Sequence, residues 1–110
     1  MIRYLANYHI MSQVFKALSD PTRRRVLQLL RKGPMGAGEL SDKFEVSKPT
    51  MSAHFAVLKG ANLVHAEKAG KAVIYHLKLS VLEEALIGFV HSFGVRTETA
   101  KSKNKKETAR

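Results

Sequence analysis

FKALSDPTRRRVLQLL, residues 15–30, and SKPTMSAHFAVLKGANLV, residues 47–64, decide how this chain folds. In the first stretch Asp20 is a good N-cap and Pro21 suits a first helical turn. Val26, Leu27, Leu29 and Leu30 then recur at helical spacing, so a helix begins at a fixed place. The second stretch repeats that logic. Ser47 caps, Pro49 lies in the first turn, and Met51, Phe55 and Leu58 follow at i, i+4 and i+7, which leaves Lys48, Thr50, Ser52 and Ala53 pointing elsewhere. A short helix with a small, polar N-terminal face suits the major groove of DNA, and the two stretches together read as a helix-turn-helix.

Upstream, Tyr4, Tyr8, Met11, Phe15 and Leu18 fall at alternating steps of four and three, which is again helical. Residues 1–11 either extend the first helix into a dimer contact or precede a shorter product starting at Met11, with Ser12 as its N-cap; Val14 to Leu18 is helical in both cases. Gly33 and Pro34 end the second helix, and Ala37 to Phe44 reads as a short third helix with Leu40 and Phe44 inward. From Leu63 the period changes to two. LVHAEK, a turn at Ala69 and Gly70, and KAVIYHLK make a hairpin in which Val73, Tyr75 and Leu77 alternate with Ile74 and His76. A hairpin directly after a recognition helix is a wing, and Lys68 and Lys71 at its tip would lie near backbone phosphates. Ser80 and Glu83 read as a capping box. The helix they open has a wide apolar face from Val81 to Phe93, part of which would meet another subunit. Beyond Gly94 the chain is polar, lysine-rich and aperiodic, the composition of a segment disordered when free. The expected division is therefore a leading segment at 1–11, one domain at 12–94 and a basic tail at 95–110.

Composition narrows the partners. The 110 residues hold 19 Lys and Arg against 9 Asp and Glu, a formal charge of +10 with a pI near 10.2. The tail carries only part of it, so the expected folded part is itself basic and polyanions are the natural partner. With no cysteine, disulfides, thiolate metal sites and thiol redox sensing are excluded. No apolar run approaches the roughly 20 residues of a membrane span, and no signal core opens the chain, so a cytoplasmic, nucleoid-associated protein with no membrane partner is expected. There is no Gly-rich phosphate loop, nucleophile elbow or HExxH motif, and an enzyme is not expected. His9, His54, His65, His76 and His91 sit on different elements without the i, i+4 spacing of a helical metal clamp. His91 with Glu84 would need a second subunit to complete any metal site.

On ALSDPTRRRVLQLL, GELSDKFEVSKPTMSAHFAVLKGANLV and the Gly70 hairpin, matched in order and spacing over about residues 12 to 93, the chain resembles the ArsR-type winged helix-turn-helix repressors. It is most similar to the branch of small autorepressors that lack a metal site. The resemblance implies a mainly α fold of five helices with a two-stranded wing. It also implies a homodimer built from the first and last helices, with the fourth helix reading operator DNA and an inducer releasing it. The family's metal sensors carry a cysteine pair on the third helix and Asp and His ligands on the last. Here the third helix reads GELSDKF, and the ligand positions of the last read Leu79, Val81, Ser92 and Val95. No metal or other cofactor is expected.

The expected DNA contacts are Lys48, Thr50, Ser52, Ala53 and His54 of the recognition helix (48–60), with Ser47 offering its hydroxyl or amide to a phosphate. Lys68 and Lys71 of the wing (63–78) and Arg23 from the 23–25 arginine run would add phosphate contacts. The expected dimer contacts are Phe15, Leu82, Leu86, Phe89 and Phe93. The partners are double-stranded DNA, a second copy, and a protein or small-molecule inducer. The alternative is an architectural DNA binder of low sequence preference, favoured by the charge and the lysine tail. A further possibility is capture of the free protein by another protein through its apolar helices.

Overall fold

The computed structural model describes the backbone of residues 2–95 and the side chains of residues 9–95. The order is α1 (Ile2–Leu18), α2 (Pro21–Arg31), β1 (Met35–Gly36), α3 (Ala37–Ser41), α4 (Lys48–Gly60), β2 (Val64–Ala69), β3 (Ala72–Leu77) and α5 (Leu79–Ser92). The side chains of Tyr4 and Tyr8 and the lysine-rich tail expected to be disordered lie outside the described residues.

Local chemistry fixes the two long helices of the motif. Asp20 sits in extended backbone and its Oδ2 accepts from the Arg23 N–H at 3.1 Å, capping α2. Gly33, at φ +155°, occupies backbone that a side chain rarely tolerates and turns the chain toward β1. At α4, Ser47 Oγ accepts from the Thr50 N–H at 3.3 Å. The far end of α4 closes with Asn62 in left-handed backbone, φ 61°. The Asn62 N–H donates to the Lys59 carbonyl and the Leu63 N–H to the Leu58 carbonyl, both at 3.0 Å. Leu58 and Leu63, which this closure brings together, are fully buried. Lys78 Nζ donates to Asn62 Oδ1 at 2.6 Å, tying the start of α5 to the same corner.

The sheet differs from the expected two-stranded wing by one strand. Its order is β1-β3-β2, all antiparallel, with Met35 opposite Tyr75 and Ala66 opposite Tyr75 on the other side. β1 is only two residues long, too short to show alternation, and exists because β3 offers it an open edge. Three boundaries also move. The helix expected over Ala37 to Phe44 stops at Ser41, and Phe44 packs half-buried from the following turn. The wing turns at Gly70 and Lys71, one residue later than expected, because Ala69 pairs with Ala72 and Gly70 supplies φ +65°. The expected Ser80 capping box does not form: α5 begins at Leu79 behind Lys78, whose backbone N–H is engaged by the Leu63 carbonyl at 2.9 Å, so the helix follows β3 with no room for a separate cap.

The core runs through both halves of the motif. Val14 and Ala17 of α1, Val26, Leu27, Leu29 and Leu30 of α2, Leu40 of α3, Met51, Phe55 and Leu58 of α4, and Ala85 of α5 form one buried cluster with Ala61, Leu63 and Val64. No polar or charged residue is buried among the described residues. α1 and α5 pack together at one edge, where the tilted rings of Phe15 and Phe89 lie 4.4 Å apart between centroids and Phe93 meets Phe89 edge-on at 5.0 Å.

Candidate nucleic-acid interface

Helix α4 is anchored from below. Met51, Phe55 and Leu58 are buried, and the Phe55 ring lies 4.7 Å from that of Tyr75 on β3, which fastens the helix to the sheet. Burial pushes the Tyr75 hydroxyl above its ordinary pKa, so it stays neutral. Successive residues on a helix turn about 100°, so the anchored side fixes what points away. The outward ridge is Pro49, Ala53, Ala56 and Gly60, all exposed and small. Lys48, Ser52 and Lys59 form one flank of it, bordering a cleft of about 600 Å³ between α4, α3 and β3. Thr50 lies on the other flank.

A small ridge is the shape that lets a helix backbone approach a groove floor, and the flanks present side-chain donors and acceptors to solvent. Ser47 and Thr50 are exposed together at the helix N-terminus. The Ser47 hydroxyl is engaged in the cap, donating to Thr50 Oγ1 at 2.9 Å, which leaves the Thr50 hydroxyl proton available. Lys68 and Lys71 are exposed at the tip of the β2–β3 hairpin.

Two of the residues expected to contact DNA make side-chain bonds within the chain. His54 is half-buried, its side chain 15% exposed, and turned toward α2. Arg23 is half-buried too, its guanidinium bonded to the carbonyls of Ala17 and Lys16 and to His54. Of the arginine run, Arg24 also caps α1, donating from Nη1 to the Leu18 carbonyl at 2.7 Å, and Arg25 is exposed. Partial burial works to raise the Asp20 carboxyl, but hydrogen bonds from the Arg23 and Thr22 backbone and the nearby His54 and Arg23 side chains hold it below the usual carboxylate range. Sequence reasoning missed Ala56 and Lys59, although Ser52, Ala56 and Lys59 share the i, i+4, i+7 spacing that places them side by side.

Residues 20–66, from the cap of α2 into β2, match the bacterial regulatory protein, arsR family. The transcriptional repressor SdpR of Bacillus subtilis is 42% identical over 76 residues, covering 69% of this chain and 84% of that protein. The chain belongs to the arsR family. A second relative, the arsenical resistance operon repressor of Staphylococcus xylosus, is 36% identical over 77 residues, covering 70% of this chain and 74% of that one. Among solved structures, a homodimeric winged helix-turn-helix DNA-binding domain from Mycobacterium bovis, described as a possible ArsR-family regulator, superposes with a TM-score of 0.69. It is 25% identical and covers 82% of this chain and 84% of that one. The architecture of this ArsR-family chain is thus a winged helix-turn-helix. Among its described residues no group of three or more His, Cys, Asp or Glu side chains is arranged to hold a metal ion, and no helix is long and apolar enough to cross a membrane.

Proposed function

We propose that this chain is a homodimeric transcriptional repressor, a binding protein and not an enzyme, that acts in the cytoplasm on a partly palindromic operator. The observation that carries the reading is α4 itself, held by a buried underside while a small ridge and polar flanks face outward. Lys48, Thr50, Ser52 and Ala53 read base edges, Ser47 meets a phosphate at the helix N-terminus, and Lys68 and Lys71 of the wing hold the flanking backbone. Lys59 extends the Lys48–Ser52 flank. Two copies of α4 then enter successive major grooves about 34 Å apart.

The second copy docks on the α1–α5 edge. Leu86, Phe89 and Phe93 are exposed there at 41%, 39% and 70%, and Phe15 and Leu82 support them from the half-buried layer beneath. A contiguous apolar surface of this kind is what a subunit interface covers. Beside it runs a groove of about 450 Å³ between α2 and α5, lined by Leu18, Leu27, Leu77, Leu79, Leu82 and Leu86. An inducer entering it would shift α5 against α2, change the spacing of the two recognition helices and weaken operator binding.

The +10 charge favours one other reading, an architectural protein with little sequence preference. One experiment separates the two: recovery of the DNA bound across the genome, then binding of the best fragment against shuffled DNA at physiological salt. An inverted repeat bound about 10³-fold or more above shuffled sequence is expected of the repressor, and uniform coverage overturns it.

A further inference from the structure

The buried underside of α4 sets which side of the helix faces outward, but hydrophobic contact is non-directional and tolerates small rotations. A polar contact fixes the rotation more finely. Arg23 is fixed at three points: its Nε donates to the Ala17 carbonyl at 2.7 Å, its Nη2 to the Lys16 carbonyl at 3.0 Å, and its backbone N–H to Asp20 Oδ2 at 3.1 Å. The carbonyls at the C-terminal end of α1 carry partial negative charge that suits a cation, and the planar guanidinium leaves little freedom once two of its edges are bound. The remaining nitrogen, Nη1, lies 3.2 Å from His54 Nδ1 on α4. A guanidinium only donates, so in this contact Nδ1 accepts and the ring carries its proton on Nε2. That Nε2 faces Asp20 Oδ2 at 3.9 Å, beyond direct hydrogen-bond length but oriented by the carboxylate.

We infer that His54 is a positioning residue for DNA recognition: through Arg23 it sets the rotation of α4 against α1 and α2, and so the direction in which the Pro49–Ala53–Ala56 ridge faces. The inference rests on the proposed DNA-reading role of α4. His54 directly follows Ala53, so slack at this contact turns the ridge with it. Non-specific binding, driven by lysine charge, does not need a fixed rotation, whereas operator binding does.

The test uses the full-length protein and three variants, His54→Leu, His54→Gln and His54→Asn, each checked for an unchanged thermal midpoint within a few degrees. Asn places its amide oxygen near the position of Nδ1, and Gln places its amide near Nε2. Leu and Gln are expected to bind operator about tenfold more weakly, the worth of one such hydrogen bond, with binding to shuffled DNA unchanged. Asn is expected to stay within about threefold of the parent. Arg23→Lys should lose as much as His54→Leu, and the double variant no more than either. Equal affinity in all variants, or an Asn variant as weak as the Leu variant, overturns the inference.

A second measurement needs no DNA. The ¹⁵N shifts of the His54 ring at neutral pH should show the Nε2–H tautomer in the parent and, in Arg23→Lys, a loss of that single form; a parent ring protonated at Nδ1 overturns the contact. A parent that binds operator and shuffled DNA alike, with the Nε2–H tautomer present, defeats the DNA-reading role and the positioning claim with it while leaving the Arg23–His54 contact standing.

Discussion

Met51, Phe55 and Leu58 on α4 are buried against the neighbouring helices and the sheet, whereas Leu86, Ile87 and Phe89 on α5, and Phe93 directly after it, face solvent. Both helices show apolar residues at helical spacing, so the pattern alone does not separate them. The difference lies in what each face meets within one copy of the chain. The motif half closes on itself, and the α1–α5 edge leaves a surface that a second copy would cover. We expect assembly to draw on the α1–α5 edge, while the monomer is held by the one buried cluster, to which Val14 and Ala17 of α1 and Ala85 of α5 also belong.

The same substitution made in each half gives the largest contrast. Leu86→Asp places a charge in the proposed interface and should weaken the dimer by about 4 kcal/mol or more, close to a thousandfold, while the monomer keeps its fold. Analytical ultracentrifugation with circular dichroism checks both parts, and a dimer of unchanged affinity would remove α5 from the interface. In the other half, Met51→Ala opens a cavity under α4 and should cost about 3 kcal/mol of unfolding free energy by denaturant titration, without dissociating subunits at native conditions. A cost under about 1 kcal/mol would mean that α4 is not anchored through its underside.

Smaller effects sharpen the division within the motif. Lys48→Ala and Ser52→Ala should each lower operator affinity by about 2 kcal/mol with little change on shuffled DNA, while Lys71→Ala weakens both alike and flattens the salt dependence. Fluorescence anisotropy at several salt concentrations reads the distinction, and equal losses on both DNAs from Ser52→Ala would deny it a base contact. Smallest is the cap of α2: Asp20→Ala should cost about 1 kcal/mol. Because the folded carboxyl titrates below its ordinary value, its contribution is fully present above about pH 4, where the unfolded group is already ionised, and is lost as pH falls through the lower folded value. Asp20→Asn, which can still accept at the cap, should abolish that acid-range slope in a thermal-midpoint series.

The helices that carry the motif were legible because their signals are local. Asp20–Pro21 and Ser47–Lys48–Pro49 mark starts, buried residues recur at helical spacing, and the period switches to two at the wing. What was not legible depends on distant partners. β1 is called into being by the edge of β3, and the start of α5 by a carbonyl of Leu63. The contact between Arg23 and His54 was not legible because nothing within a few residues of either reveals that the C-terminal carbonyls of α1 and the side of α4 converge on one guanidinium. Lys48, Ser52 and Ala53 needed no such knowledge, since a helix with one buried side has a determined opposite side.

The pairing of Met35 with Tyr75 spans about forty residues of chain, whereas the β2–β3 hairpin closes across Gly70 and Lys71. Closing the longer loop costs more entropy, so we expect the hairpin to form early and the β1–β3 pair late, with pulse-labelled hydrogen exchange at the β1–β3 and β2–β3 amides as the check. During synthesis the ribosome would release α1 to α4 before the strand that locks α3 in place exists. The reading head of this protein is completed by the part of it made afterwards.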